Sequence, residues 1–190
     1  VNIVNANTDG KVVYLYAPDD KRGHERFAFK AVRFENPTDS TLETGPVTVY
    51  GDGRFIGEGL TESVPPGSMT MVPFALDRQI VVERDRDTGD QISRLLKVNR
   101  GVCTAEIKHK RTTKLTVTNR LVEPAKVFVR HLVRKGWTLE KSPEVIDRRG
   151  ETHLLELALG AGETKTFQVV ESTPLERTMD LRSDLGVTLI

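Results

Sequence analysis

The sequence predicts an all-β protein, two tandem immunoglobulin-like antiparallel β-sandwich units with little helix, and three observations carry that expectation. Short runs such as Val47-Thr-Val-Tyr50 alternate apolar and polar residues, the period of a strand with one buried face. Glycine and proline punctuate the chain at Gly51-Asp-Gly53, Pro65-Pro-Gly67 and Gly160-Ala-Gly162, where a reversal needs positive φ or a preset one. An order of strand, asparagine turn, strand, long loop, glycine turn and strand occurs twice. That repeat divides the chain into a first unit at 1–90 and a second at 91–190, each near the size usual for a sandwich.

Val12 to Tyr16 is a compact β-prone run, closed by the polar loop Ala17 to Gly23. In the next strand, Arg26 to Glu35, Phe27 and Phe29 lie on one side and Val32 and Phe34 on the other. The apolar face therefore switches around Lys30 and Ala31, which predicts a bulge or a passage between sheets. Asn36-Pro37 ends the pairing, because proline has no N–H to donate. Pro46 to Tyr50 and Arg54 to Ile56 then form a hairpin about Gly51-Asp-Gly53, and Met69 to Phe74 supplies a third strand.

Further on, Gln79 to Arg84 and Ile92 to Val98 read as a hairpin around Asp85 to Asp90. Val102 to Ile107 and Lys114 to Thr118 read as another, around Lys108 to Thr112. The segment from Lys114 through Asn119 to His131 echoes Val32 through Asn36 to Tyr50, and Leu157 to Val170 echoes the Pro65-Pro-Gly67 turn with its strand. Thr173-Pro-Leu-Glu176 has the form of a capping box and is expected to start a short helix through Met179, before Leu185 to Ile190 returns to strand.

The 190 residues carry 37% hydrophobic and 29% charged side chains, which fits a globular chain with a core. No segment approaches the ~18 apolar residues of a membrane helix, so no transmembrane segment is expected. The chain begins at Val1 with no methionine or leader, the expectation for a fragment or a processed form. Cys103 is the only cysteine, which excludes an intramolecular disulfide. Net charge is +1 and unevenly spread: residues 1–95 hold 11 Lys/Arg against 15 Asp/Glu, hence −4, leaving +5 for 96–190. Basic residues are scattered and aromatics few, so nucleic acid is not expected as a partner.

The residues quoted above resemble a known family. Phe34-Glu-Asn36, Val47 to Tyr50 with Gly57, Pro66-Gly67, Asp77 to Arg84, Thr118-Asn119 with Val127 to His131, and Leu157 through Gly162-Glu163 to Phe167-Gln-Val169 and Pro174 are similar to the C-terminal domain of unknown function in the bacterial mucoidy-inhibitor-A-like proteins. The resemblance covers most of the chain. It implies an immunoglobulin-like all-β fold and association with the periplasm or cell envelope, and it carries no established catalytic residues. The smaller N-terminal domain and the coiled coil that usually precede this part in the family are absent here.

Each residue cluster with chemical potential also has a plainer reading. Gly51, Gly53 and Gly57 precede a strand and not a helix, so they read as turn glycines and not as a phosphate cradle. Asp85, Asp87 and Asp90 form the one candidate calcium loop, although its glycine is fifth where calcium loops place it sixth, and Arg84 and Arg86 oppose the charge. His24, His109, His131 and His153 lack zinc spacing, though His131 and His153 could meet across strands. Gly67-Ser68 lacks the second glycine of a nucleophile elbow. No catalytic residue, cofactor or metal is therefore expected.

Trp137 is either a core plug or an exposed anchor, and Arg130, Arg134 and Lys135, with Arg148 and Arg149, could gather beside it as a basic face for an acidic ligand. The expected function is a non-catalytic structural or protein-interaction module, envelope-associated, binding a protein partner or itself through sheet faces or edges. The alternative is a ligand-binding or hydrolytic domain using His131, Asp77 and residues near Trp137 at the seam of the two units.

Overall fold

The computed structural model describes residues 6–180. Among these the protein is all-β: β1 (Lys11–Tyr16), β2 (Phe27–Glu35), β3 (Gly45–Gly51), β4 (Arg54–Thr61), β5 (Met69–Asn99), β6 (Val102–Asn119), β7 (Ala125–Leu132), β8 (Thr138–Lys141), β9 (Glu144–Arg149), β10 (Thr152–Leu159) and β11 (Thr164–Asp180). Hydrogen bonding orders nine of them as β8-β11-β6-β5-β2-β1-β7-β10-β9, and pairs β3 with β4 separately. The large sheet is mixed, because β1 runs antiparallel to β2 and parallel to β7. Contacts divide the described residues into two compact units, each discontinuous in sequence: 6–83, 116–132 and 144–166 form the first, and 84–115, 133–143 and 167–180 the second.

In the first unit, alternation along the strands sorts side chains onto two faces. Val13 and Leu15 of β1, Ala31 of β2, Met71 of β5 and Phe128 of β7 form one buried cluster, with Ile146 and Leu154 packed against it. Tyr14, Tyr16, Val127, Val129, Leu155 and Leu157 are buried as well, at the alternate positions of β1, β7 and β10. The switch of apolar face in β2 is present as a register shift between Lys30 and Ala31 where that strand pairs with β5. The β3–β4 hairpin turns through Asp52 and Gly53, both at positive φ (49° and 73°), the pattern of a two-residue type I′ turn. Gly57 and Gly59 of β4 lie so near the β5 backbone that a Cβ would collide with the carbonyls of Phe74 and Pro73.

The two asparagine turns share a hydrogen-bond pattern. The Asn36 amide donates to the carbonyls of Ser40 and Val64, both at 2.9 Å, and its oxygen accepts from the Thr38 N–H. Asn119 donates to the carbonyls of Glu123 and Gly160 and accepts from the Leu121 N–H. Each asparagine's backbone N–H meets the opposing turn, at Ser68 and Glu163, and each turn carries a glycine at positive φ, Gly67 and Gly162.

Three local expectations are corrected. Asp85 to Asp90 is not a turn: β5 runs unbroken through it, and Gly89 is not among the positive-φ glycines. Lys108 to Thr112 likewise lies inside β6. The reversal occurs instead at Arg100-Gly101, where both residues take positive φ (51° and 87°); one long hairpin replaces two short ones. Thr173 to Met179 continues β11 as strand and forms no helix, since ladder pairing outweighs a weak local capping signal. The strand expected at Leu185 to Ile190 lies outside the described residues.

Candidate functional site

Two arrangements concentrate chemistry, one in each unit. The first is a cleft of ≈ 730 Å³ in the first unit, floored by Met71, Ile146 and Leu154 and edged by Arg33, Arg130 and Arg149. Two of these arginines are neutralised locally. Arg130 pairs with Asp20 at 2.9 Å and with Glu62 at 3.7 Å; Arg149 pairs with Asp147 at 3.3 Å and donates to the Met69 carbonyl at 2.7 Å. Arg33 is different. Its guanidinium carbon lies 5.4 Å from the centre of the Phe128 ring, and its covered Nε has no hydrogen-bond partner among the described residues. Register explains the setting, because Arg33 lies opposite Met71 on β5 and two residues along β2 from the buried Ala31.

The second arrangement surrounds Trp137 in the second unit. Along β6 the residues Cys103, Ala105, Ile107, Thr113 and Leu115 are buried at every second position, and His109 and Arg111 interrupt that apolar row. Arg111 donates from Nε and Nη2 to the two carboxylate oxygens of Glu171, each at 2.9 Å, a bidentate geometry suited to a desolvated pair. Glu171 is fully buried (0% exposed). Trp137 covers the pair: the Arg111 guanidinium lies 4.6 Å from the ring centre, and His109 meets the ring edge-on at 5.5 Å. His109 in turn contacts Asp90, which Arg177 approaches at 3.8 Å. Glu140 of β8 accepts from Lys108 and from Ser172, and these hydrogen bonds, that from Lys108 foremost, hold its carboxyl below the ordinary value.

The residues singled out in the sequence are distributed as follows. Trp137 is half-buried over an ion pair, intermediate between plug and anchor. Arg134 and Lys135 are exposed in the loop before β8, where the Trp137 N–H bonds to the Arg134 carbonyl at 2.9 Å. Arg130 belongs to the first unit and lines its cleft. Asp77 is buried in a break of the β2–β5 register; its Oδ1 accepts from the Gln79 N–H at 2.8 Å and its Oδ2 lies 3.4 Å from Lys30. Burial, then the Asp77 and Glu123 charges, push the Tyr14 phenol up. His131 and His153 do face each other across β7 and β10, and both are buried.

The carboxylates of the candidate calcium loop occupy a strand, so Asp85 and Asp87 project to one face and Asp90 to the other. Among the described residues no group of three or more His, Cys, Asp or Glu could hold a metal ion, and no helix is long and apolar enough to cross a membrane. Arg33, Arg111 and Glu171 were not singled out in the sequence. A charged residue at an apolar position of an alternating strand, Arg111 between Ile107 and Leu115, is the signal that marks such a group. Comparison with protein-family models, with curated proteins and with solved structures finds no match.

Proposed function

We propose that this protein is a non-catalytic interaction module that pairs with a second copy of itself along the free edge of β5. The observation that carries the reading is the exposed run from residue 85 to residue 99. Pairing of β2 with β5 extends to Phe27 opposite Val81, and the Val82 N–H still donates to the Arg26 carbonyl at 2.8 Å; from residue 87 onward β6 is the one strand paired with β5 among the described residues. That edge exposes backbone donors and acceptors together with Ile92, Leu95, Leu96 and Val98, the second and fourth of them 61% exposed. Unpaired edges of this kind are templates for strand addition.

The order of charges favours one occupant. Asp87 and Asp90 precede Ile92, and Arg94 and Lys97 follow it. Antiparallel self-pairing centred on Ile92 sets Asp90 opposite Arg94 and Asp87 opposite Lys97, twice each by symmetry. A parallel copy sets like charges together. Asp90 and Arg94 already contact His109 and Glu106 within the chain, so Asp87 and Lys97 contribute most to the preference. The finer description as two immunoglobulin-like units, kinship with the mucoidy-inhibitor-A-like family and an envelope address belong to the same proposal; the alternating strands and glycine turns support the first, and the quoted turn and core residues support the others.

Sedimentation equilibrium of the full chain tests the pairing. Asp87→Lys is expected to weaken the dimer about tenfold, from cross-strand charge pairs worth ~0.2–1 kcal/mol each, and Asp87→Lys with Lys97→Asp to restore it. Ile92→Cys is expected to give a disulfide-linked dimer on mild oxidation, since residue 92 faces its own copy. A strictly monomeric chain at millimolar concentration, or no crosslink at position 92, sinks the proposal.

A further inference from the structure

The cleft of the first unit makes a second and independent use of charge. We infer that it binds a small organic carboxylate, one anionic group attached to an apolar body, with Arg33 as the charge partner. The inference rests on the imbalance among its arginines. Arg130 and Arg149 have Asp20, Glu62 and Asp147 within 4 Å, whereas Arg33 has no ion-pair or hydrogen-bond partner among the described residues. Its contact is the face of Phe128, which attracts a cation without supplying an acceptor.

A guanidinium that has lost water at Nε and gained no acceptor is held at a cost. An anion arriving at its remaining N–H groups offsets that cost, and bidentate carboxylate geometry matches the planar fork. The floor then selects what the carboxylate is attached to. Met71, Ile146 and Leu154 present an apolar surface continuous with the buried cluster, and the volume of ≈ 730 Å³ falls within the range of small-molecule sites. Charge sets an upper limit on the ligand. The three flanking carboxylates repel a second negative charge, so a phosphate dianion is disfavoured where a monoanion is accepted.

The methionines supply the readout. Met69 and Met71 line the cleft. With ¹³C-methyl methionine, hexanoate is expected to shift the Met69 and Met71 signals in a saturable manner. Hexanol, which has the same chain length without the charge, and inorganic phosphate are each expected to bind at least tenfold more weakly. Arg33→Met is expected to lower hexanoate affinity at least tenfold, and Arg33→Lys to keep part of it. Equal binding of hexanol and hexanoate by the wild-type protein overturns the inference without any variant; so does unchanged hexanoate binding by a folded Arg33→Met. Neither result bears on pairing along β5, because the two sites share no residue.

Discussion

Asn36 and Asn119 each end a strand and then hold the returning chain with their own side chains, donating to one carbonyl four residues on and to another 28 or 41 residues away. Both are buried, at 1% and 0% exposure, so alanine at either position leaves carbonyls and an N–H without partners. The expected loss is about 2–4 kcal/mol at each site, read by urea unfolding; aspartate is expected to fail as well, because a carboxylate cannot donate. Beside the second asparagine, Glu163 accepts the Gly160 N–H at 2.6 Å and meets Lys165 at 3.0 Å. The Gly160 hydrogen bond first, then that of Lys165, lowers its pKa from the ordinary 4.5. A lowered carboxyl contributes stability above its unfolded pKa and loses it as pH falls through the folded one. Wild type and Glu163→Gln should therefore differ in unfolding midpoint at neutral pH and converge below about pH 4; a gap that persists under acid would remove the charge from the explanation. Asn36 was legible as a turn former from the Asn-Pro dipeptide and Asn119 from the echoed strand pattern, but a sequence does not say which distant carbonyls their amides reach.

At the scale of elements, the long strands β5, β6 and β11 were the least legible part. Asp85 to Asp90 and Lys108 to Thr112 look like turns because they are polar, yet an exposed strand tolerates polar residues equally well. What separates the two is backbone conformation, and positive φ is found at Arg100-Gly101. The β6–β11 ladder also fixes Arg111 against Glu171. Taking away Arg111 removes the bidentate partner of a fully buried carboxylate, expected to cost about 3–5 kcal/mol, whereas replacing both partners by apolar residues recovers most of it. Arg111→Met, Glu171→Leu and the double variant, compared by urea unfolding with Trp137 emission as the probe, test this; additive losses would contradict a coupled pair. Because the guanidinium lies 4.6 Å from that ring centre, the emission of Arg111→Met should also change in the folded state.

For the whole molecule, a net charge of +1 conceals a local order of signs on β5, and pairing through Asp87 and Lys97 should weaken with added salt, as screened surface pairs do. The compact units do not follow the contiguous halves of the sequence: β5, β6 and β11 each contribute residues to both, and a repeat is a property of chain order whereas a unit is a property of contacts. Sequence by itself determined the all-β class, the hairpin with its tip at Gly51 to Gly53, the switch of apolar face at Lys30-Ala31 and the asparagine turns, because each is set by alternation, by φ, or by a side chain acting on its neighbours. Only the tertiary structure decided that Arg33, beside Phe128, has no ion-pair partner among the described residues, that Glu171 is buried against Arg111, and that the ladder between β2 and β5 stops near Val82 while β5 runs on to Asn99. Those properties depend on which residues distant in the chain come to adjoin, and on how much water they exclude.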